Sequence, residues 1–224
     1  MSSLSTTAAI ATADRAGIVA AMDAGEDSAL MQRYARGDLA AFTQLYERHK
    51  AALYRYLLRL TRRRDVADDL FQEVWSRVIA SRARYQPLAK FSTFLFSIAH
   101  NCFIDSCRRA NTAPTAAAEG LEDHEHALHD AEHRGPEREA QSAQTAERLS
   151  AALAQLPAEQ REAFLLHEEG GLSVEEIGEL TGVGMETAKS RLRYAFAKLR
   201  KTLAPERDAL QVTDAFAGAP APTR

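Results

Sequence analysis

The stretch "LSVEEIGELTGVGMETAKSRLRYAFAKLRKTL" at residues 172–203 decides the fold of the second half of this chain. Ser173 and Glu176, three residues apart, make a capping box that starts a helix. Val174, Ile177 and Leu180 give that short helix one apolar face. Thr181-Gly182-Val183-Gly184 then supplies a tight turn whose glycines accept positive φ. The next helix puts Ala188, Leu192, Ala195, Phe196, Leu199 and Leu203 on one side. Its other side holds Glu186, Thr187, Ser190, Arg193, Tyr194 and Lys201, with Lys189, Arg191 and Arg200 on the flanks. Six bases and one acid fall within 185–203. A short helix, a glycine turn and a longer basic helix form a helix-turn-helix, which lays its second helix in a major groove. The bases attract phosphates, while Thr187, Ser190 and Arg193 are spaced to reach base edges. The bland alternative is a helical hairpin with a solvated basic face. Concentration of the bases on the second helix favours DNA.

Working outward, Leu149, Leu153 and Leu156 form one helical stripe, and Pro157 restarts a helix bearing Ala163, Phe164 and Leu166. This second unit is expected over 147–204, with a tail over 205–224. Before it, residues 111–146 are Ala-, Glu- and His-rich with few large apolar side chains, which predicts a flexible acidic linker. Residues 30–110 hold the remaining periodicity: Leu39, Phe42, Leu45, Tyr46, Leu53, Leu57 and Leu60, then Val66, Leu70, Val74 and Val78, then Phe91, Phe94, Leu95, Ile98 and Phe103. Only Gly37 and Pro87 interrupt this pattern, so a bundle of about four helices is expected over 29–110 after a disordered tail over 1–28. The fold class is all-α, two small helical domains on a tether. The formal charge of −3 conceals an asymmetry, because 30–110 carry fifteen bases and seven acids while 111–148 carry three and nine. A basic unit of that kind calls for an anionic partner.

Within the basic unit one face is acidic. A helix over Asp65–Ala80 buries Val66, Leu70, Phe71, Val74 and Val78 and gathers Asp65, Asp68, Asp69, Gln72, Glu73 and Ser76 opposite. Acids in a first turn offset the helix dipole, which accounts for Asp65, Asp68 and Asp69. Glu73 and its continuity with Gln72 point instead to a docking face for a basic protein. The helix over 91–109 mixes Phe91, Phe94, Phe96 and Phe103 with His100, Asn101, Asp105, Arg108 and Arg109. Aromatics beside bases stack unpaired bases; the alternative is that every Phe is core and Asn101 a polar surface residue.

Four motifs together resemble the extracytoplasmic-function sigma factors: "DVADDLFQEVWSRV" at 65–78, "FSTFLFSIAHNCFIDSCRR" at 91–109, "LPAEQREAFLLHEEGGLSVEEIGELTGVG" at 156–184 and "TAKSRLRYAFAKLRKTL" at 187–203. The resemblance covers region 2 (29–110) and region 4 (146–203) of that family. It implies a promoter-specificity subunit that binds core RNA polymerase and promoter DNA and opens the −10 element for transcription initiation. It also implies an anti-sigma factor as a further partner. By the same resemblance Asp65, Asp68, Asp69, Gln72 and Glu73 dock on the polymerase clamp. Phe94, Asn101, Asp105, Lys90, Arg108 and Arg109, with the loop Gln86–Lys90, handle the −10 strand. Thr187, Lys189, Ser190, Arg191 and Arg193 read the −35 element. Where the family often has an Arg-Ala-Arg run, this chain has Tyr194-Ala195-Phe196, which puts one or two phosphate contacts in question.

Other classes fit less well. The sequence has no H-E-x-x-H, Walker lysine or G-x-S-x-G, and so no catalytic residues are assigned. No cofactor and no metal are expected, although His129 and His133 in the linker are spaced to chelate on a helix. No stretch approaches the ~20 apolar residues of a membrane span, no signal-peptide pattern opens the chain, and the two cysteines, Cys102 and Cys107, suit a reducing cytoplasm. A stand-alone helix-turn-helix regulator is the runner-up. It predicts a dimer, for which there is no heptad seam, so a monomer is expected when free.

Overall fold

The first long helix begins where Asp38 offers one carboxylate oxygen to two backbone N–H groups, those of Ala40 (3.1 Å) and Ala41 (3.2 Å). The other oxygen accepts from Arg33 at 2.6 Å, tying that start to the helix before it. The computed structural model describes residues 25–112 and 146–203, which among themselves are helical with no strand. Helix α1 is described over 25–35. Then come α2 (Leu39–Thr61), α3 (Arg64–Ser81), a 3₁₀ turn (Arg82–Arg84) and α4 (Phe91–Thr112). The second unit has α5 over 146–154, α6 (Ala158–Glu168), α7 (Val174–Thr181) and α8 (Met185–Leu203). No helix among the described residues is long and apolar enough to cross a membrane.

The first unit packs α1, α3 and α4 around α2. Leu45, Leu53, Tyr56 and Leu57 of α2 are wholly buried, as are Phe91, Leu95 and Ala99 of α4. The expected buried face of α3 is turned slightly. Ala67, Leu70, Val74, Trp75 and Val78 are inside, while Val66 and Phe71 are half-buried. The large indole draws the helix round: Trp75 meets Phe42 edge-on at 5.8 Å and Tyr46 at 5.0 Å. The second unit packs α6 and α7 against α8, with Leu165, Leu166, Leu172, Ile177 and Ala195 inside. Phe196 and Leu203, expected on the buried side, are 38% and 46% exposed. The acidic linker expected over 111–146 lies outside the described residues over 113–145, while its ends are helical, 111–112 in α4 and 146 in α5. The two units it joins touch, and their buried side chains form one continuous cluster.

The expected tail over 1–28 gives way to helix by residue 25. Asp27 is the reason: its side chain is only 6% exposed and takes Arg48 at 2.8 Å and His49 at 2.7 Å, both from α2. Burial by itself pushes the Asp27 pKa up, but the bonds to His49 and Arg48 outweigh it and hold the carboxyl below its ordinary value. Its stabilisation is therefore present above the unfolded value near 3.8 and is lost as pH falls through the lower folded one. Asp27→Asn is expected to cost about 2 kcal/mol in urea unfolding at neutral pH. The gap between variant and wild type closes in strong acid.

Candidate nucleic-acid interface

In the second unit, Ser173 Oγ accepts from the Glu176 N–H at 3.2 Å and Glu176 Oε2 accepts from the Ser173 N–H at 2.8 Å. This closed capping box fixes where α7 starts. Gly182 ends it at φ +68°, a left-handed cap that L side chains adopt at a cost. Gly178 lets the turn lie flat on α7, since a Cβ there would stand 3.0 Å from the Val183 carbonyl oxygen. The result is α7 braced on α8, with α8 showing its basic side to solvent.

On that side Thr187, Lys189 and Arg193 are exposed, and Ser190 and Arg191 are half-buried. Lys189 lies 3.6 Å from Glu186. The Arg193 guanidinium stands 5.0 Å from the centre of the Tyr194 ring, which is itself 55% exposed. Phe196 does something different. It packs edge-on against Phe164 at 5.2 Å and faces His167 at 6.0 Å, closing α8 onto α6. The five residues expected to read DNA thus share the outward half of one helix.

In the first unit Asp65, Asp68, Asp69 and Gln72 line the exposed face of α3. Asp65 pairs with Arg63, and Asp68 accepts from the Tyr54 hydroxyl at 2.7 Å. Glu73 is separated from them in environment. It is a third exposed and is held between Arg77 and Arg109, the latter at 3.5 Å. Asp105 of α4 lies 3.6 Å from the same Arg77 and 3.8 Å from Arg108. Glu73 and Asp105 therefore lace α3 to α4. Asn101 is exposed on the same stripe. Phe94 is half-buried, edge-on to Tyr85 at 5.2 Å, and Lys90 lies at the mouth of the loop before α4. Next to this stripe Cys102 is buried, and burial pushes its thiol up to about 11, while Cys107 is exposed.

The sequence reading missed three acids that reach across to the first unit. Glu162 Oε1 lies 2.6 Å from His100 Nδ1. Glu169 takes Arg55 at 2.9 Å and Arg59 at 2.6 Å. Glu176 accepts from the Thr93 hydroxyl at 2.7 Å and stands 3.9 Å from Lys90 Nζ. The spacing of Arg55 and Arg59 on one helix face was the only local signal of this seam. The linker histidines lie outside the described residues.

The sequence matches two family models, Sigma-70 region 2 over residues 45–112 and Sigma-70, region 4 over 146–199. The RNA polymerase sigma factor CarQ of Myxococcus xanthus is 32% identical over 183 residues, covering 77% of this chain and 95% of CarQ. The ECF RNA polymerase sigma factor SigM of Mycobacterium tuberculosis is 31% identical over 177 residues, 79% of this chain and 84% of SigM. In fold the chain is similar to the sigma factor RpoE solved with the anti-sigma factor NepR from Bartonella quintana. There the TM-score is 0.54 at 23% identity, covering 73% of this chain and 97% of that one.

The capping box is testable by itself. Ser173→Ala is expected to cost about 1 kcal/mol of stability, read as a lower midpoint in thermal unfolding followed by helical circular dichroism.

Proposed function

The chain belongs to the extracytoplasmic-function RNA polymerase sigma factors, and from that membership we propose how its two units divide the work. The protein binds core RNA polymerase, directs it to specific promoters and promotes melting of the −10 element. The observation that carries this is the succession of region 2 and region 4 in one chain, the second presenting a basic outward helix face.

In our reading residues 29–110 hold the polymerase and the −10 strand, and 147–204 hold the −35 element. Asp65, Asp68, Asp69 and Gln72 form the polymerase-docking face, supported by their exposure on one side of α3. Glu73 belongs to its edge, because Arg77 and Arg109 share its charge. Phe94, Asn101, Asp105, Lys90, Arg108 and Arg109 meet the separated −10 strand. An aromatic ring stacks a base on its face, an exposed amide reads one, and basic side chains hold phosphate. On α8, Thr187, Lys189, Ser190, Arg191 and Arg193 meet the −35 duplex. The protein is a non-catalytic subunit working in the cytoplasm with the polymerase, and an anti-sigma factor is its proposed regulator. Support for that last partner is the anti-sigma factor NepR in the complex of similar fold.

Run-off transcription from a genomic fragment library, with purified core polymerase with and without this protein, tests the reading. Discrete transcripts requiring both components are expected. Their absence, together with tight duplex binding by the protein alone, overturns it in favour of a stand-alone regulator. Asp68→Lys is expected to weaken binding to core polymerase by about tenfold in a titration, through a new like-charge contact with a basic partner. Replacing Lys189, Arg191 and Arg193 with Ala is expected to flatten the salt dependence of promoter binding by a slope of about 2 to 3, one unit per lost phosphate contact.

A further inference from the structure

The polar contacts that region 4 makes with region 2 come from carboxylates, Glu162, Glu169 and Glu176, set against His100, Arg55, Arg59, Thr93 and Lys90. Beneath Glu169 runs a stripe of arginines. Arg48, Arg55 and Arg59 recur on one face of α2 at steps of seven and four, and Arg62 caps the helix just beyond them at φ +58°. Arg48 is answered within its own unit by Asp27 and Glu26. Among the described residues Arg55 and Arg59 are answered from across the seam, by Glu169, whose side chain is 8% exposed. A cleft of about 490 Å³ follows the seam, lined by Arg48, His49, Lys90 and Ser92 on one side and Glu168 and Glu169 on the other. It runs from Arg48, at one end of the arginine stripe, to Lys90 before α4, with Glu169 on its other wall.

We propose that Arg55 and Arg59 form a backbone-phosphate site for the single-stranded −10 DNA, which Glu169 occupies as a carboxylate stand-in while regions 2 and 4 are closed on each other. This rests on the sigma-factor reading and adds a binding site to it. Three observations support an exchangeable seam. Tyr56 Oη, Arg59 Nε and Arg161 Nε are buried there with no hydrogen-bond partner among the described residues, and each such group favours leaving the closed state. Arg161 of α6 faces the end of the stripe: burial, and then Arg62, hold its pKa down. Finally, Glu169 is fixed as the C-cap of α6, its N–H bonded to the Leu165 carbonyl, and it meets Arg59 through Nη1. A nucleotide phosphate is not so tethered and can take the Nε and Nη fork together.

Promoter geometry supplies the opening step. The −10 and −35 elements lie roughly 25 base pairs apart, about 85 Å of duplex at 3.4 Å per step. Glu176 of α7 touches Thr93 of α4 in the closed chain, so reading both elements requires the seam to part and bares Arg55 and Arg59.

The test is fluorescence anisotropy of the free full-length protein with a labelled, mixed-sequence single-stranded DNA of about 12 nucleotides, a length within the usual site sizes for single-strand binding. Glu169→Gln, with helical circular dichroism unchanged, is expected to bind this probe about tenfold more tightly than wild type. Adding Arg55→Gln and Arg59→Gln to it is expected to abolish the gain and reduce the salt slope by about 1.4, two phosphates' worth for a single strand. No gain, or a gain that survives loss of both arginines, overturns the site. A second arm uses Arg55→Gln alone, at a side chain 45% exposed, with core polymerase in run-off transcription. A fall in transcript yield with weaker salt sensitivity supports the site. Wild-type yield and salt sensitivity overturn it while leaving the sigma-factor reading intact.

Discussion

Glu169 is a carboxylate nearly closed off from water between two guanidinium groups, and the relation between the two units depends on it. A charge in that position costs several kcal/mol to desolvate and is tolerated only with full pairing. Arg55 and Arg59 give that pairing from a helix 110 residues or more away in sequence. The backbone around Glu169 is built to deliver it. Gly170 follows immediately, and a Cβ there would stand 2.6 Å from the Leu166 carbonyl oxygen and 3.2 Å from Phe96 of the first unit. Gly171 then turns the chain at φ +63°. Any side chain at 170 would lever the end of α6 away from α4 and pull the carboxylate off its partners.

Glu176 couples this seam to the helix-turn-helix. One of its oxygens closes the capping box on Ser173, and the other accepts from Thr93 of the first unit. Burial raises its pKa, but the Ser173 N–H, the Thr93 hydroxyl and Lys90 outweigh that and hold it below the ordinary value. Its charged form therefore serves the cap and the contact together, above the unfolded carboxylate value, and acid removes both. Parting the units leaves the cap intact, since both its bonds lie within α7 and its entry. The support that the cap gives α7 is therefore independent of the seam.

Local pattern made much of this legible. The capping box, the glycine turn and the alternation of buried and basic positions on α8 are short-range signals, and each is met in the structure by the Ser173 cap, the left-handed Gly182 and the buried Ala188. The acidic face of α3 was equally readable. What escaped was set by contacts distant in sequence. Trp75 carries no local sign that it will turn α3 onto Tyr46 and Phe42. Asp27 reads as part of a polar tail until Arg48 and His49, more than twenty residues on, are seen to hold it. The seam is the extreme case: a helix stripe of arginines announces that anions are wanted but not that region 4 will bring them.

The run Tyr194-Ala195-Phe196 is where those two kinds of information meet. By charge alone it reads as a loss of bases from the DNA-binding helix. Ala195 is wholly buried, so the residues on either side of it diverge around the helix. Phe196 falls on the side of α6, where Phe164 and His167 receive it, and its ring replaces a surface charge with packing that an arginine would not supply. Tyr194 falls on the outward side, where Arg193 lies over its ring and donates to its hydroxyl at 3.4 Å. The aromatic pair thus stiffens the helix against its neighbour at one position and orients a base at the other. The six bases of α8 are spread along its length, and Lys189, Arg191 and Arg193 are the three in its first half, the end that a recognition helix presents to base edges.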